Sequence, residues 1–353
     1  MLLFLALAGL IWAIGWLMKT PPQARWIMIG LLYLVVVALL VVLPPGAALR
    51  MTLGGSAANW LAVGALVVVG LGYSAGLRKL RARVRPENRA PESADATADP
   101  AAPLTDAELD RYARHIVLRE VGGTGQRALK RARVLVIGAG GLGAPALQYL
   151  AGAGVGTIGV IDDDTVSASN LQRQVIHRDA DTGRAKVFSA RDAMLALNPH
   201  VTVRPYNRRL VPEIARDLVA DYDLVLDGSD NFDTRYMVNA ACAAAGVPLV
   251  SGAIAQWEGQ VSVYDPAHGA PCFACVFPQA PAPGLAPSCA EAGVIGPLPG
   301  IIGAMMAAEA IKLIAGAGTP LRGQLLIHDA LEGESRRIAV TQRADCAVCG
   351  GVG

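Results

Sequence analysis

Three long stretches without a charged residue open the chain, at positions 2–18, 26–43 and 57–77, and none of them has a polar face. Crossing a ~30 Å hydrocarbon core takes about 20 helical residues, with roughly 17–25 as the working range. The pattern therefore predicts three transmembrane helices. Trp12, Trp16, Trp26, Trp60 and Tyr73 fall in or near the ends of these runs, where amphipathic rings favour the membrane interface. A cleaved signal peptide fits the first run poorly. It has no basic start and no small-x-small cleavage site, and a second run follows within ten residues.

The pattern changes twice after that. Residues 86–103 are rich in Pro, Ala, Asp and Glu with no apolar period, which reads as a flexible tether between a membrane region at 1–85 and a globular domain at 104–353. From position 104 short β-branched runs alternate with helical segments. A strand at 133–137 leads into Gly138-Ala-Gly-Gly-Leu-Gly143 and a helix at 144–153, followed by strands at 157–161 and 223–226. An apolar helix at 300–315 carries Met305 and Met306 and reads as core or dimer contact.

Charge sharpens this division. Residues 1–90 hold nine Lys and Arg against one Glu, a net +8, while the remainder is a net −6. Only 17% of the chain is charged against 53% hydrophobic, which excludes a single soluble domain. The acidic body argues against nucleic-acid binding. Lys19 and Arg25 lie in the first loop, Arg50 in the second, and Arg78, Lys79, Arg81, Arg83, Arg85 and Arg89 after the third run. Positive-inside logic puts the N-terminus outside and the large domain in the cytoplasm of a multi-pass inner or cell-membrane protein.

Strand, glycine turn and helix in that order point to a Rossmann-like nucleotide fold, with phosphates on the helix N-terminus. Asp162 follows the second strand, where an acid can bind ribose hydroxyls. Those features alone leave a nicotinamide-dependent dehydrogenase open. The next segments favour ATP, because Arg173 and Lys186 supply positive charge suited to a triphosphate. Asp227-Gly-Ser-Asp230-Asn231 then follows a strand, where an Asp can hold Mg2+. No GxxxxGK[ST] segment occurs, which excludes a P-loop ATPase.

Six cysteines lie between positions 242 and 349. Cys272-x-x-Cys275 and Cys346-x-x-Cys349 form two knuckles of the kind that hold a structural Zn2+, since four thiolates leave no open coordination position. Cys289 follows the Pro-, Ala- and Gly-rich stretch 278–287, Cys242 reads as a packed core residue, and the five histidines form no ligand spacing.

With these motifs in place, residues 111–350 resemble the MoeB/ThiF family, relatives of the ubiquitin-activating enzymes, and the MoeB branch in particular. The resemblance rests on Arg111–Ile116, the glycine turn, Asp162–Val166, Asn170–Gln174, Lys186, Asp227–Asn231, both cysteine pairs and Cys289–Val294. It implies a Rossmann-like ATP-binding domain with a mixed sheet and zinc knuckles, here preceded by the membrane region. It also implies adenylation of the C-terminal Gly-Gly carboxylate of a small ubiquitin-like sulfur carrier of the MoaD/ThiS type, in molybdopterin- or thiazole-type sulfur transfer, with release of pyrophosphate. By the motif match Gly141 admits the nucleotide and Asp162 binds the ribose. The segment Ser169, Asn170, Leu171, Gln172 and Arg173, with Lys186, holds the phosphates, and Asp230 beside Asn231 places Mg2+. Arg114 would reach across a homodimer to the partner's ATP. Cys289 occupies the position of a cysteine that forms a thioester or acyl-disulfide in some members. The chain stops four residues after Cys349 with no rhodanese module, so a separate sulfur donor is expected. Two alternatives are activation of another carboxylate, as in the tRNA-dehydratase branch, and a membrane-tethered binding protein without turnover.

Overall fold

The computed structural model describes residues 2–18, 20, 22–44, 47–53, 56–62, 64–65, 73, 102–281 and 292–350. The chain divides into two compact units, Met1–Pro91 and Glu92–Gly353.

In the first unit the apolar pattern becomes the helices Leu2–Leu17 and Pro22–Val42 and a short helix Ala48–Leu53. Val36, Leu40, Leu53 and Trp60 pack together, with Phe4 and Tyr33 against them. At the turn between the two long helices, Arg25 donates to the Thr20 carbonyl and stacks on Trp12, whose ring meets Trp26 edge-on at 5.2 Å.

The expectation of three spans is met in part. Among the described residues two helices are long and apolar enough to cross a membrane, Ala24–Val42 and Pro297–Ala315, and only the first lies in the apolar front. The 16-residue helix Leu2–Leu17 rises about 24 Å at 1.5 Å per residue, short of the ~30 Å core. Most of the third run, and the tether up to residue 101, lie outside the described residues.

The second unit is built on one eight-stranded sheet. Its strands are β1 (Arg133–Ile137), β2 (Thr157–Asp162), β3 (Thr202–Asn207), β4 (Leu224–Asp227), β5 (Leu249–Ala255), β6 (Glu258–Tyr264), β7 (Gln324–Asp329) and β8 (Glu334–Ala339). They lie in the order β3-β2-β1-β4-β5-β6-β7-β8. Pairing from β3 to β5 is parallel and from β5 to β8 antiparallel, so the sheet is mixed. Four of the five β1 residues and all four of β4 are buried, as a parallel strand covered on both faces requires.

One face packs under the helices Gly143–Ala153, Lys186–Leu197 and Pro297–Ala315, with Leu147, Leu150, Met194, Ile302 and Met306 in its core. The other packs under Pro212–Ala220 and Phe232–Ala245 through Val219, Val238 and Cys242. The helix Pro297–Ala315 is thus a sheet-covering helix despite its apolar length. It approaches so closely that a Cβ at Gly303 would lie 2.4 Å from the Leu142 carbonyl oxygen.

The strand order reverses between β1 and β4, because β2 and β3 lie on one side of β1 and β4 to β8 on the other. The carboxyl ends of β1 and β4 therefore open into the crevice where ligands bind in open α/β sheets. Glycines make the two turns there fit. Gly138 has φ +90°, which L side chains rarely adopt, and a Cβ on it would meet the Gly228 carbonyl at 3.3 Å. A Cβ at Gly143 would lie 1.8 Å from the Gly138 carbonyl oxygen.

Candidate nucleotide and metal sites

The turn after β1 delivers Gly138–Gly143 into the crevice and starts the helix Gly143–Ala153, where the Ala144 N–H donates back to the Gly140 carbonyl at 2.8 Å and Pro145 has no N–H. Asp162 ends β2 beside it. Its Oδ2 accepts the Ala139 N–H at 2.7 Å and its Oδ1 the Asp164 N–H at 2.8 Å. A carboxylate offers about four lone-pair sites, so two remain for hydroxyl groups. Burial pushes the Asp162 carboxyl above its usual value, and the nearby Lys186 charge opposes that rise.

Lys186 opens the helix Lys186–Leu197, and its Nζ lies 2.7 Å from Asp164 Oδ2. Arg173 comes from the coil after the 3-10 turn Ala168–Asn170. It donates to Asn170 Oδ1 at 3.0 Å and to the Ser169 carbonyl at 3.3 Å, so its guanidinium is held by its own segment. The Ser169 hydroxyl lies 3.0 Å from that of Ser167. The Gln172 carbonyl and side-chain oxygen back onto Gly296, where a Cβ would meet each at 2.8 Å.

Gly141 carries a different constraint from the one expected. Its Cβ direction points at the Pro299 side chain, 3.2 Å away, so a larger residue there would press on the helix Pro297–Ala315.

The turn after β4 is clamped from beneath. Asp227 Oδ1 accepts the Ser229 N–H at 2.9 Å, and Arg235 donates to the Ser229 carbonyl, to the Gly252 carbonyl at 2.8 Å and to Ser251 Oγ at 3.1 Å. Asp227 is 1% exposed, and its Oδ2 accepts no hydrogen bond but is ion-paired with the Arg235 guanidinium at 4.0 Å. Asp230, on the same turn, is exposed. A buried carboxylate oxygen that accepts no hydrogen bond and a second, exposed carboxylate on one turn are oxygen donors of the kind a hard cation such as Mg2+ takes. Asn231 has a structural task. Its Oδ1 accepts the Thr234 N–H at 2.9 Å and caps the helix Phe232–Ala245, which leaves its amide group for a ligand.

The crevice therefore brings together the glycine turn, Asp162, Arg173, Lys186 and the Asp227–Asn231 turn. Arg114 stays apart: it is exposed on the short helix Ala113–Ile116, and no hydrogen bond or ion pair among the described residues joins it to the crevice. Val117 and Leu118, just beyond, expose large apolar side chains. Cys289 lies outside the described residues. Two buried residues that the sequence reading left without a role sit against the nucleotide turn. His177 bonds the Ala139 carbonyl, and Gln174 places its amide nitrogen 3.5 Å from where a Gly140 Cβ would be.

The two cysteine pairs, remote in sequence, converge in space. All four thiols are buried and their Sγ atoms lie within 4.8 Å of one another, with closest separations of 3.3, 3.6 and 3.8 Å. Disulfides need ~2.05 Å. A tetrahedron of sulfurs at ~2.3 Å from Zn2+ has edges of about 3.8 Å, so the donor set fits a structural zinc ion. The Arg343 N–H and the Gln342 amide donate to Cys275 and Cys349 sulfurs, as suits thiolates.

Residues 112–348 match the model of the ThiF family. The chain belongs to that family. It is 52% identical over 250 residues to a sulfur carrier protein adenylyltransferase of Thermus thermophilus, covering 70% of this chain and 92% of that protein. It is 47% identical over 249 residues to the molybdopterin-synthase adenylyltransferase of Escherichia coli, covering 70% and 99%. These relatives make it MoeB-like. Among solved structures, E. coli MccB with AMPCPP and MccA shares the fold, with a TM-score of 0.62 at 22% identity over 69% of this chain and 75% of that one. The family match leaves out the apolar front.

Proposed function

We propose that this chain is an adenylyltransferase that uses ATP to activate the C-terminal Gly-Gly carboxylate of a small ubiquitin-like sulfur carrier of the MoaD/ThiS type. One observation carries the reading: an acceptor for ribose (Asp162), two cations (Arg173 and Lys186) and an acidic turn (Asp227–Asn231) line one crevice, in a chain about half identical to carrier adenylyltransferases.

The chemistry follows from that arrangement. The two free acceptor sites of Asp162 take the ribose hydroxyls, and the start of the helix Gly143–Ala153 faces the phosphates. A carrier carboxylate is already ionised at neutral pH, so no strong base is needed. Its oxygen forms a bond to the α-phosphorus in line. The bond from that phosphorus to the bridging oxygen breaks, and pyrophosphate leaves with the electron pair. Arg173 and Lys186 stabilise the charge that develops on the leaving group, and positioning supplies the rest. Mg2+ bound at Asp230 would neutralise part of the triphosphate charge. Zn2+ in the cysteine cluster would tie the segment at 346–349 to the body as a structural ion.

Further features belong to the same reading. Arg114, next to the exposed Val117 and Leu118, completes the partner's site in a homodimer. A separate protein supplies sulfur to the acyl-adenylate. The apolar front anchors the enzyme in the cell membrane as a multi-pass segment with the adenylating domain in the cytoplasm, in keeping with the basic cluster at 78–89.

The test is ATP–pyrophosphate exchange by the full chain in detergent, with candidate carriers ending in Gly-Gly. Exchange that requires one carrier is the expected result. Tight ATP binding with no exchange for any such carrier would overturn the proposal in favour of another carboxylate.

A further inference from the structure

The residue at the heart of the nucleotide turn is held on both of its flanking peptide groups by side chains remote in sequence. Ala139 is fully buried. Its N–H donates to Asp162 Oδ2 at 2.7 Å, and its carbonyl lies 2.9 Å from His177 Nε2. The other ring nitrogen, Nδ1, lies 2.9 Å from Ser189 Oγ, which is itself 2.9 Å from Asp181 Oδ2. His177 arrives from the coil after Arg173, and Ser189 from the helix that Lys186 opens.

Proton bookkeeping singles out one of these bonds. A carbonyl oxygen only accepts, so Nε2 carries a proton whether the ring is neutral or charged. The Ser189 hydroxyl has one hydrogen. It turns toward Nδ1 of a neutral ring, or toward Asp181 when Nδ1 is protonated. The bond to Ala139 is therefore the constant one. A trans peptide is planar, so holding the Ala139 carbonyl also sets the direction of the Gly140 N–H on the opposite edge. That peptide joins the residue bonded to Asp162 to the glycines that begin the helix Gly143–Ala153.

We propose that His177 is a positioning residue for nucleotide binding: by holding the Ala139 carbonyl through Nε2, it keeps the ribose acceptor Asp162 in register with the phosphate-facing glycine turn. The identity of the nucleotide rests on the adenylyltransferase reading above. The role itself rests on a buried ring with both nitrogens used and one of them on the turn.

Two amide replacements separate the two bonds. His177→Gln can place an N–H near the position of Nε2 and keep the Ala139 bond. His177→Asn reaches only the position of Nδ1, which keeps Ser189 and loses Ala139. Both retain a polar side chain, so a general loss of core packing would strike both. The full chain in detergent is tested for ATP binding by equilibrium dialysis, for its thermal midpoint, and for KM toward ATP and toward carrier in pyrophosphate exchange.

The expected result is ATP binding close to wild type for the Gln variant and about tenfold weaker for the Asn variant. The loss should appear in KM for ATP and leave KM for carrier unchanged. Equal ATP affinity in the two variants, or a rise in both KM values together, would overturn the proposal. If wild type binds ATP but no carrier supports exchange, the adenylation reading fails. The dialysis comparison then still decides the role of His177.

Discussion

The ammonium of Lys186 is buried, its side chain 4% exposed, yet its partner at 2.7 Å, the carboxylate of Asp164, keeps 67% of its side chain exposed to solvent. The lysine is held by the fold and the aspartate is free to leave. An incoming phosphate can thus replace Asp164 without moving Lys186. Lys186→Met should reduce pyrophosphate exchange by about 10²-fold or more, while Asp164→Asn should stay within several-fold of wild type. Unfolding should show little loss for the Met variant, because replacing a buried charge with an apolar chain of similar length removes a desolvation penalty.

Asp230 and Asn231 are neighbours with separate tasks, and substitution separates them. Asp230→Ala should abolish exchange while leaving the thermal midpoint unchanged, since the side chain is exposed. Asn231→Ala removes the cap of the helix Phe232–Ala245 and should destabilise by about 1 kcal/mol. Calorimetry and exchange assays on the pair give opposite patterns if the assignment holds.

Acidification acts on the nucleotide site through Asp162. Burial raises its carboxyl, and the groups that face it are Lys186, Asp164 and His177. As pH falls the acceptor oxygens are lost earlier than on an exposed aspartate, so ATP affinity should fall on titration from pH 7 toward pH 4. Asp162→Asn should bind weakly and without that dependence. The stability sign is the reverse. A carboxyl whose folded-state value lies above the unfolded one contributes fully below the unfolded value, and the contribution is lost as pH rises through the folded one. Acidification should therefore weaken ATP binding with no loss of stability attributable to this residue.

Removing zinc tests the cysteine cluster. Cys346→Ser should lower bound zinc below one equivalent by elemental analysis and reduce the thermal midpoint by about 10 °C. ATP binding should persist, since no cysteine of the cluster lines the crevice.

Much of the site could be read along the chain because each part is local. Strand, glycine turn and helix at 133–153 occupy consecutive positions, and the strands and helices found there match the expected ones to within a residue or two at the ends. Asp162 and the cysteine pairs announce themselves by place and spacing. His177 does not, because a lone histidine acquires meaning only when two loops close around it. Arg235 is similar: it sits in the first turn of its helix, and its value lies in carbonyls at 229 and 252 that no periodicity links to it. The helix Pro297–Ala315 shows the limit of the apolar pattern, since hydrophobic length alone does not separate a sheet-covering helix from a membrane span.

The interlock of Gly138, Gly143 and Gly228 sets how freely this fold can vary. The loops that carry these glycines follow different strands and stand about 90 positions apart in the chain, yet each fills the space a methyl group would need on the other or on its own turn. A side chain at 143 would overlap the main chain of its own turn, one at 138 would have to hold a φ of +90°, and one at 228 would press on the Gly143 nitrogen at 3.2 Å, so a change in either loop is felt by the other. In a library randomised at these three positions, functional clones should return glycine at all of them together, so the two connections form a single unit of inheritance.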